Sequence, residues 1–209
     1  MLMPNDSKTT AKSWDDRDAY KLYPEGTILT VDINLLKRSM EMSILGGNPK
    51  DEPLHYGEIF AIWTYSVGAK GMVSAYQAFL SHAGDKDLRK ILENLIEQAK
   101  KEAKEVDVLL TANGIAPAPA LPERPPVNLE DIPVGARFSD PEIAAALSMD
   151  IAAGLVSCSQ AMGMSIREDV GALFLKYHTV KAADGVKILE MNKEKGWLIP
   201  PPLQVKRPE

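Results

Sequence analysis

The chain has 209 residues, 45% hydrophobic and 25% charged, a balance that supports one sizeable core with flanking arms. A net charge of -5 and a pI near 5.3 provide no basic footprint, which argues against direct binding of DNA or RNA. Cys158 is the single cysteine, so an intramolecular disulfide and a one-chain thiolate cluster are both excluded.

The start of the chain, Met1 to Asp6, lacks the charged lead and apolar stretch of a secretory signal, and a cytoplasmic location is expected. Residues 1–52 hold no sustained hydrophobic period and read as an N-terminal arm. Within it, Asp32 is a fitting cap for a short helix over 32–46, carrying Leu35, Leu36, Met40, Met42 and Ile44 and stopped by Gly46 and Gly47.

Four long helices are expected after the arm. The first spans about 53–83, with Pro53 in its opening turn, Gly84 as its stop and an apolar stripe through Ile59, Ile62, Trp63, Ser66, Val73, Tyr76, Phe79 and Leu80. The second spans about 85–113, capped by Asp85, with Leu88, Leu92, Leu95, Ala99, Val106 and Leu110 on its apolar side. Lys90, Glu93, Glu97, Lys100, Lys101, Lys104 and Glu105 are assigned to its wet side. The third, about 140–162, and the fourth, about 166–195, begin at Ser139 to Glu142 and Ser165 to Glu168, each matching the pattern in which serine and glutamate cap one another's amides.

The second and fourth helices close alike. Gly114 and Gly196 stand where a left-handed residue is wanted, Ile115 and Trp197 follow to fold back on the last turn, and prolines forbid continuation. Only short turns separate helices one from two and three from four, so each pair is an antiparallel hairpin. The crossover at 115–138 is rich in proline; at about 3.1 Å per residue it can run the length of helices of roughly 36 Å. Two short turns around one long crossover is the connectivity of ferritin-like bundles. The expected fold is therefore an all-α, ferritin-like four-helix bundle over 53–204, with the N-terminal arm before it and a tail at 205–209.

The apolar stretch from Ile143 to Met164 is long enough to raise the question of a membrane span. Asp150 stands near its centre, where a carboxylate costs roughly 2.5 to 3.5 kcal/mol on insertion, and alanines supply little offsetting bulk. A buried or partner-covered helix is the expectation, with no transmembrane segment.

Glu58-Ile59-Phe60-Ala61-Ile62-Trp63 and the run Met191 to Pro201, with its Lys195-Gly196-Trp197-Leu198-Ile199-Pro200 close, resemble an uncharacterised ferritin-like family of spore-forming Firmicutes. Its members are named at most as spore coat proteins, and it is similar to the spore coat protein F family. The resemblance covers residues 54 to 204. It implies a ferritin-like bundle and a place in or near the spore coat, and it implies no reaction.

Ferritin-like bundles often hold two metal ions through glutamates and Glu-x-x-His pairs, because positions i and i+3 share a helix face. Within the four expected helices no Glu-x-x-His occurs, and no metal centre is expected. The nearest candidates are His55 and Glu58, spaced i and i+3, together with His178 and with Asp150, whose possible partners are His178 and Lys70. They leave a single Zn, Mn or Fe ion as the alternative. Against it stand a solvated first turn for His55 and Glu58, a core or half-exposed histidine at 178, and a structural contact or subunit interface for Asp150. Small residues at Gly68, Gly71, Ser74, Gly154 and Ser157 indicate close helix packing, or else a narrow pocket for an apolar ligand lined by Met72, Met149 and Met162. Cys158 has no basic neighbour in sequence and reads as an inert buried thiol.

No catalytic residues and no cofactor are assigned: no nucleophile with its base, phosphate loop or dinucleotide fingerprint is present. The expected function is that of a non-enzymatic structural or interaction protein, homodimeric through the third helix and residues 32–46, with other coat proteins as further partners. A metal- or small apolar ligand-binding bundle is the alternative.

Overall fold

Four α-helices account for most of the described residues: α1 (Tyr56–His82), α2 (Lys86–Ala112), α3 (Asp140–Met164) and α4 (Glu168–Glu194). A computed structural model describes residues 52–202 and 204. The short helix expected over 32–46, the rest of the arm up to residue 51 and the tail at 205–209 lie outside the described residues. Among the described residues there is no strand, and two single 3-10 turns, Leu129–Asp131 and Val134–Ala136, interrupt the segment joining α2 to α3.

Local chemistry fixes the helix ends. Asp85 caps α2 by accepting from the amides of Asp87 and Leu88, and Glu142 accepts from both the amide and the hydroxyl of Ser139 at the start of α3. At the close of α2, Gly114 adopts φ 74°, its N–H bonds Thr111 O, and Ile115 N–H bonds Leu110 O at 2.9 Å. At the close of α4, Gly196 adopts φ 70°, its N–H bonds Lys193 O, and Trp197 N–H bonds Asn192 O at 2.9 Å. Both are Schellman caps, and their apolar residues Ile115 and Trp197 pack back on the core.

Two ends differ from expectation. Helix α1 begins at Tyr56 rather than near Pro53 and is capped by His55, whose Nδ1 accepts from Gly57 N–H while Glu58 reaches back to its amide. Ser165 does not pair with Glu168. The N-cap of α4 is Arg167, and the Ser165 hydroxyl instead donates to Ala161 O at 2.7 Å. Ser165 is taken up in closing α3, its amide bonding Ala161 O and Met162 O, and Glu58 of α1 holds the next two amides, those of Ile166 and Arg167.

Helix α1 packs along α2 and α3 along α4, with lighter packing of α1 on α3 and of α2 on α4. Each of these four pairs is antiparallel. Gly84 and Asp85, after α1, donate to Asp140 at the start of α3; Lys195, after α4, bonds Asp85 and Asp87 at the start of α2; and Asn113, ending α2, accepts from Arg167 at the start of α4.

The core divides into two halves. One, toward the 83–85 turn, gathers Tyr76, Leu88, Leu92, Ile143, Leu147, Ile151 and Ile188. The other, toward the 165–167 turn, gathers Ile62, Tyr65, Val106, Leu110, Cys158, Phe174 and Tyr177. All four helices contribute to both, so burial of apolar area holds each end of the bundle. The stretch 134–164 is long and apolar enough to cross a membrane by length and composition. Here α3 lays Ile143, Ala144, Leu147, Ile151, Cys158 and Ala161 into the core.

Candidate functional site

Glu58 is buried at 1% exposure. Its Oε1 accepts from Ile166 N–H and Arg167 N–H, both at 2.9 Å, and its Oε2 from His55 N–H at 3.1 Å. Three amides therefore satisfy the carboxylate, which caps two helices at once and complements the positive end of α4. His55 is committed as well. Nδ1 accepts from Gly57 N–H and Nε2 lies 3.0 Å from Met164 O, an arrangement that fits the Nε2–H tautomer. The pair closes a helix junction rather than presenting lone pairs to an ion.

Arg167 completes this end of the bundle. It is 2% exposed, and its guanidinium donates to Asp169 through Nε and Nη2 at 3.0 and 2.7 Å and through Nη1 to Glu52 O and Asn113 Oδ1, both at 2.9 Å. The hydrogen bonds to Asp169, with Glu58 and Glu52 nearby, raise the guanidinium pKa. A buried cation is tolerable only when its donors are filled in this way.

Between the halves of the core lies a polar layer. Glu102 of α2, 4% exposed, accepts from Tyr65 Oη at 2.7 Å, Gln98 Nε2 at 3.0 Å and Lys181 Nζ at 3.2 Å. Lys181 also lies 5.7 Å from the centre of the Tyr65 ring, within cation–π range. Neither expected partner of Asp150, His178 or Lys70, pairs with it. Asp150 accepts from Tyr76 Oη, Lys70 pairs with Asp107 at 2.7 Å, and His178 is half-buried on α4 with no hydrogen bond or ion pair to the described residues. The four candidate ligands are thus not brought together, and among the described residues no three His, Cys, Asp or Glu form a group that could hold a metal ion.

Gly154 explains how a lysine fits into this layer: a Cβ there would stand 2.8 Å from Lys181 Cδ. The groove beside it, about 200 Å³, is lined by Gly68, Gly154, Ser157, Glu102, Asp150 and Lys181. Met72 reaches it, but Met149 is 75% exposed and Met162 packs on the opposite half of the core. The three methionines do not line one pocket.

Burial raises the pKa of Tyr65, Tyr76 and Tyr177, and nearby carboxylates push the same way: Glu102 on Tyr65, Asp150 on Tyr76 and Glu105 on Tyr177. Burial likewise pushes the Cys158 thiol up to about 11 despite Lys181 and Tyr65, so the thiol is the weak nucleophile expected. Glu105 is half-buried rather than fully wet. Burial works to raise its pKa, but hydrogen bonds from Lys176 and Tyr177 outweigh that and hold it below the ordinary carboxylate value.

The missed residues were Glu102, Tyr65 and Lys181. Glu102 had a readable signal, because it falls three after Ala99 and four before Val106 on the apolar stripe of α2. Trp63, expected inside, is exposed while Tyr65 is buried.

The outward sides of the neighbouring helices α1 and α3 are apolar. Tyr56, Phe60, Trp63 and Val67 recur at helical spacing on α1, exposed by 92, 67, 38 and 43%, and Met149 and Val156 on α3 by 75 and 67%. Between Ile143 and Met164 the only charged side chain is Asp150.

Among the described residues the chain is all-helical, with four long helices whose buried charges join them to one another. Residues 42–209 match the family described as "Protein of unknown function (DUF3231)", and the chain belongs to that family. The uncharacterized protein YvdQ of Bacillus subtilis (strain 168) is 52% identical over 166 residues, covering 79% of this chain and 98% of YvdQ. A crystal structure named as that of a putative spore coat protein from Bacillus halodurans C-125 is 51% identical with a TM-score of 0.75, covering 76% of this chain and 100% of that one. A conserved hypothetical protein, rv2844, from Mycobacterium tuberculosis shares the fold at 12% identity and TM-score 0.55, over 66% of this chain and 98% of its own.

Proposed function

We propose that the protein is a non-enzymatic structural or interaction protein of sporulation, made in the cytoplasm and deposited at or near the spore coat, where it self-associates and contacts other coat proteins. The similarity to the Bacillus halodurans protein, with its spore coat name, supports the setting. The observation that carries the mode of action is the apolar outward side of α1 and α3, with Tyr56, Phe60, Val156 and Met149 all more than half exposed. Patches of this kind mark association surfaces. A second copy covers such stripes in a homodimer.

The bundle is read as ferritin-like, akin to the spore coat protein F group. The antiparallel neighbours and the full-length path required of residues 113–139 support that reading. In such bundles the middle of the core is where metal ions are held. Here the Lys181 ammonium stands beside Glu102 in that layer, and His55 and Glu58 are occupied by backbone groups. These contacts favour structural roles for all of them.

The test is fractionation of purified spores with an antibody to the chain. The wild-type protein is expected in the coat extract, and Val156→Asp, expressed to the same level, is expected to be depleted from it. Absence of the wild-type protein from spores, with all of it in vegetative cytosol, would contradict the proposal.

A further inference from the structure

Val108 interrupts the charged outer side of α2. It is 61% exposed, and Leu121 in the crossover is 56% exposed. Both line a groove of about 680 Å³ between α1, α2 and the crossover, with Val73 and Ala103 on the helices. That volume is within the range of small-molecule sites, about 300–1,000 Å³.

The charges of the groove are uneven. Lys70, Lys100 and Lys104 line it against Asp107 and Glu123, a local excess of positive charge on a chain whose net charge is -5. Lys70 is taken by Asp107 at 2.7 Å. Lys100 lies 3.3 Å from Glu123, whose side chain is 71% exposed, a surface pair that contributes little and opens readily. Lys104 is exposed and makes no hydrogen bond or ion pair with the described residues.

An apolar trough with an unpaired ammonium on its rim matches an amphiphile with an alkyl tail and an anionic head. We propose that this groove binds a free fatty acid, its tail on Val73, Ala103, Val108 and Leu121 and its carboxylate at Lys104, with Lys100 as second donor when Glu123 is displaced. A cationic amphiphile would set like charge against Lys104, and a neutral alkanol would lack the charge-assisted contact. This groove is separate from the α1 and α3 stripes.

The test is displacement of a fluorescent fatty-acid probe from the full chain by dodecanoate, below its micelle concentration. Dodecanoate is expected to compete, with dodecanol and dodecyltrimethylammonium weaker by about tenfold or more, the scale of one hydrogen bond to a charged group. Lys104→Glu is expected to weaken dodecanoate by a similar factor, and Leu121→Asp to abolish competition while helical circular dichroism is retained. Val156→Asp, on the other surface, should leave competition unchanged. Undiminished binding in both Lys104→Glu and Leu121→Asp would overturn the assignment, as would loss in Val156→Asp. Binding of anionic phospholipid vesicles without any binding of monomeric dodecanoate would overturn it too.

Discussion

Glu58 Oε1 lies 2.9 Å from the backbone nitrogen of Arg167, across 109 residues of sequence. One carboxylate thereby sets the start of α1 and the start of α4 together. Removing it leaves the amides of Ile166 and Arg167 without an acceptor and takes an anion from beside a buried guanidinium. Glu58→Ala is expected to lower unfolding free energy by about 2–4 kcal/mol. His178→Ala, which breaks no such contact, should cost no more than about 1 kcal/mol. Urea unfolding of both variants checks the pair of expectations.

Lys181 and Glu102 form an ion pair with side-chain exposures of 17 and 6%. Removal of one partner leaves a buried charge unmatched, so Lys181→Met alone is expected to destabilise by about 3–5 kcal/mol. In the double variant Lys181→Met with Glu102→Gln no lone buried charge remains. Much of that loss should return, and a double-mutant cycle on denaturation midpoints gives the coupling directly.

Alkaline pH should unfold the bundle cooperatively. The folded-state pKa of Tyr65, Tyr76 and Tyr177 is raised above the unfolded value of 10.0. The unfolded chain therefore loses protons first. These phenols contribute their full stability below pH 10, and it is lost as pH rises from there toward the folded values. Phenolate absorbance and loss of helical dichroism should coincide, and Tyr65→Phe with Tyr76→Phe should make the alkaline limb shallower.

Cys158 is fully buried at 0% exposure, with its pKa pushed up to about 11. In native buffer it should resist a thiol-specific reagent and react only at the rate at which the bundle opens. Prompt labelling of the folded chain would contradict this.

Much of the frame was legible because it rests on local chemistry. Gly114 and Gly196 adopt left-handed φ where the Gly-apolar-proline order places them, and Asp85 and the Ser139–Glu142 pair start helices as their types dictate. The misreadings were long-range. The Ser165–Glu168 cap gives way because Ser165 closes α3 and α4 starts at Arg167, where Glu58, distant in sequence, holds the amides of Ile166 and Arg167. Trp63 and Tyr65 are two positions apart on α1, about 200° around the helix. An apolar stripe with substantial residues on several sides does not decide which of them faces inward. Glu102 was legible by its period alone, but its partners Tyr65 and Lys181 depend on the register between helices.

In the proposed homodimer the exposed apolar sides of α1 and α3 are covered by another copy of the chain. Light-scattering molar mass of the purified full chain and of Val156→Asp, over a range of concentrations, tests it most directly. A dimer or larger is expected for the wild type and a folded monomer for the variant. A wild type that stays monomeric at the highest concentration, or a variant that assembles like the wild type, would contradict it.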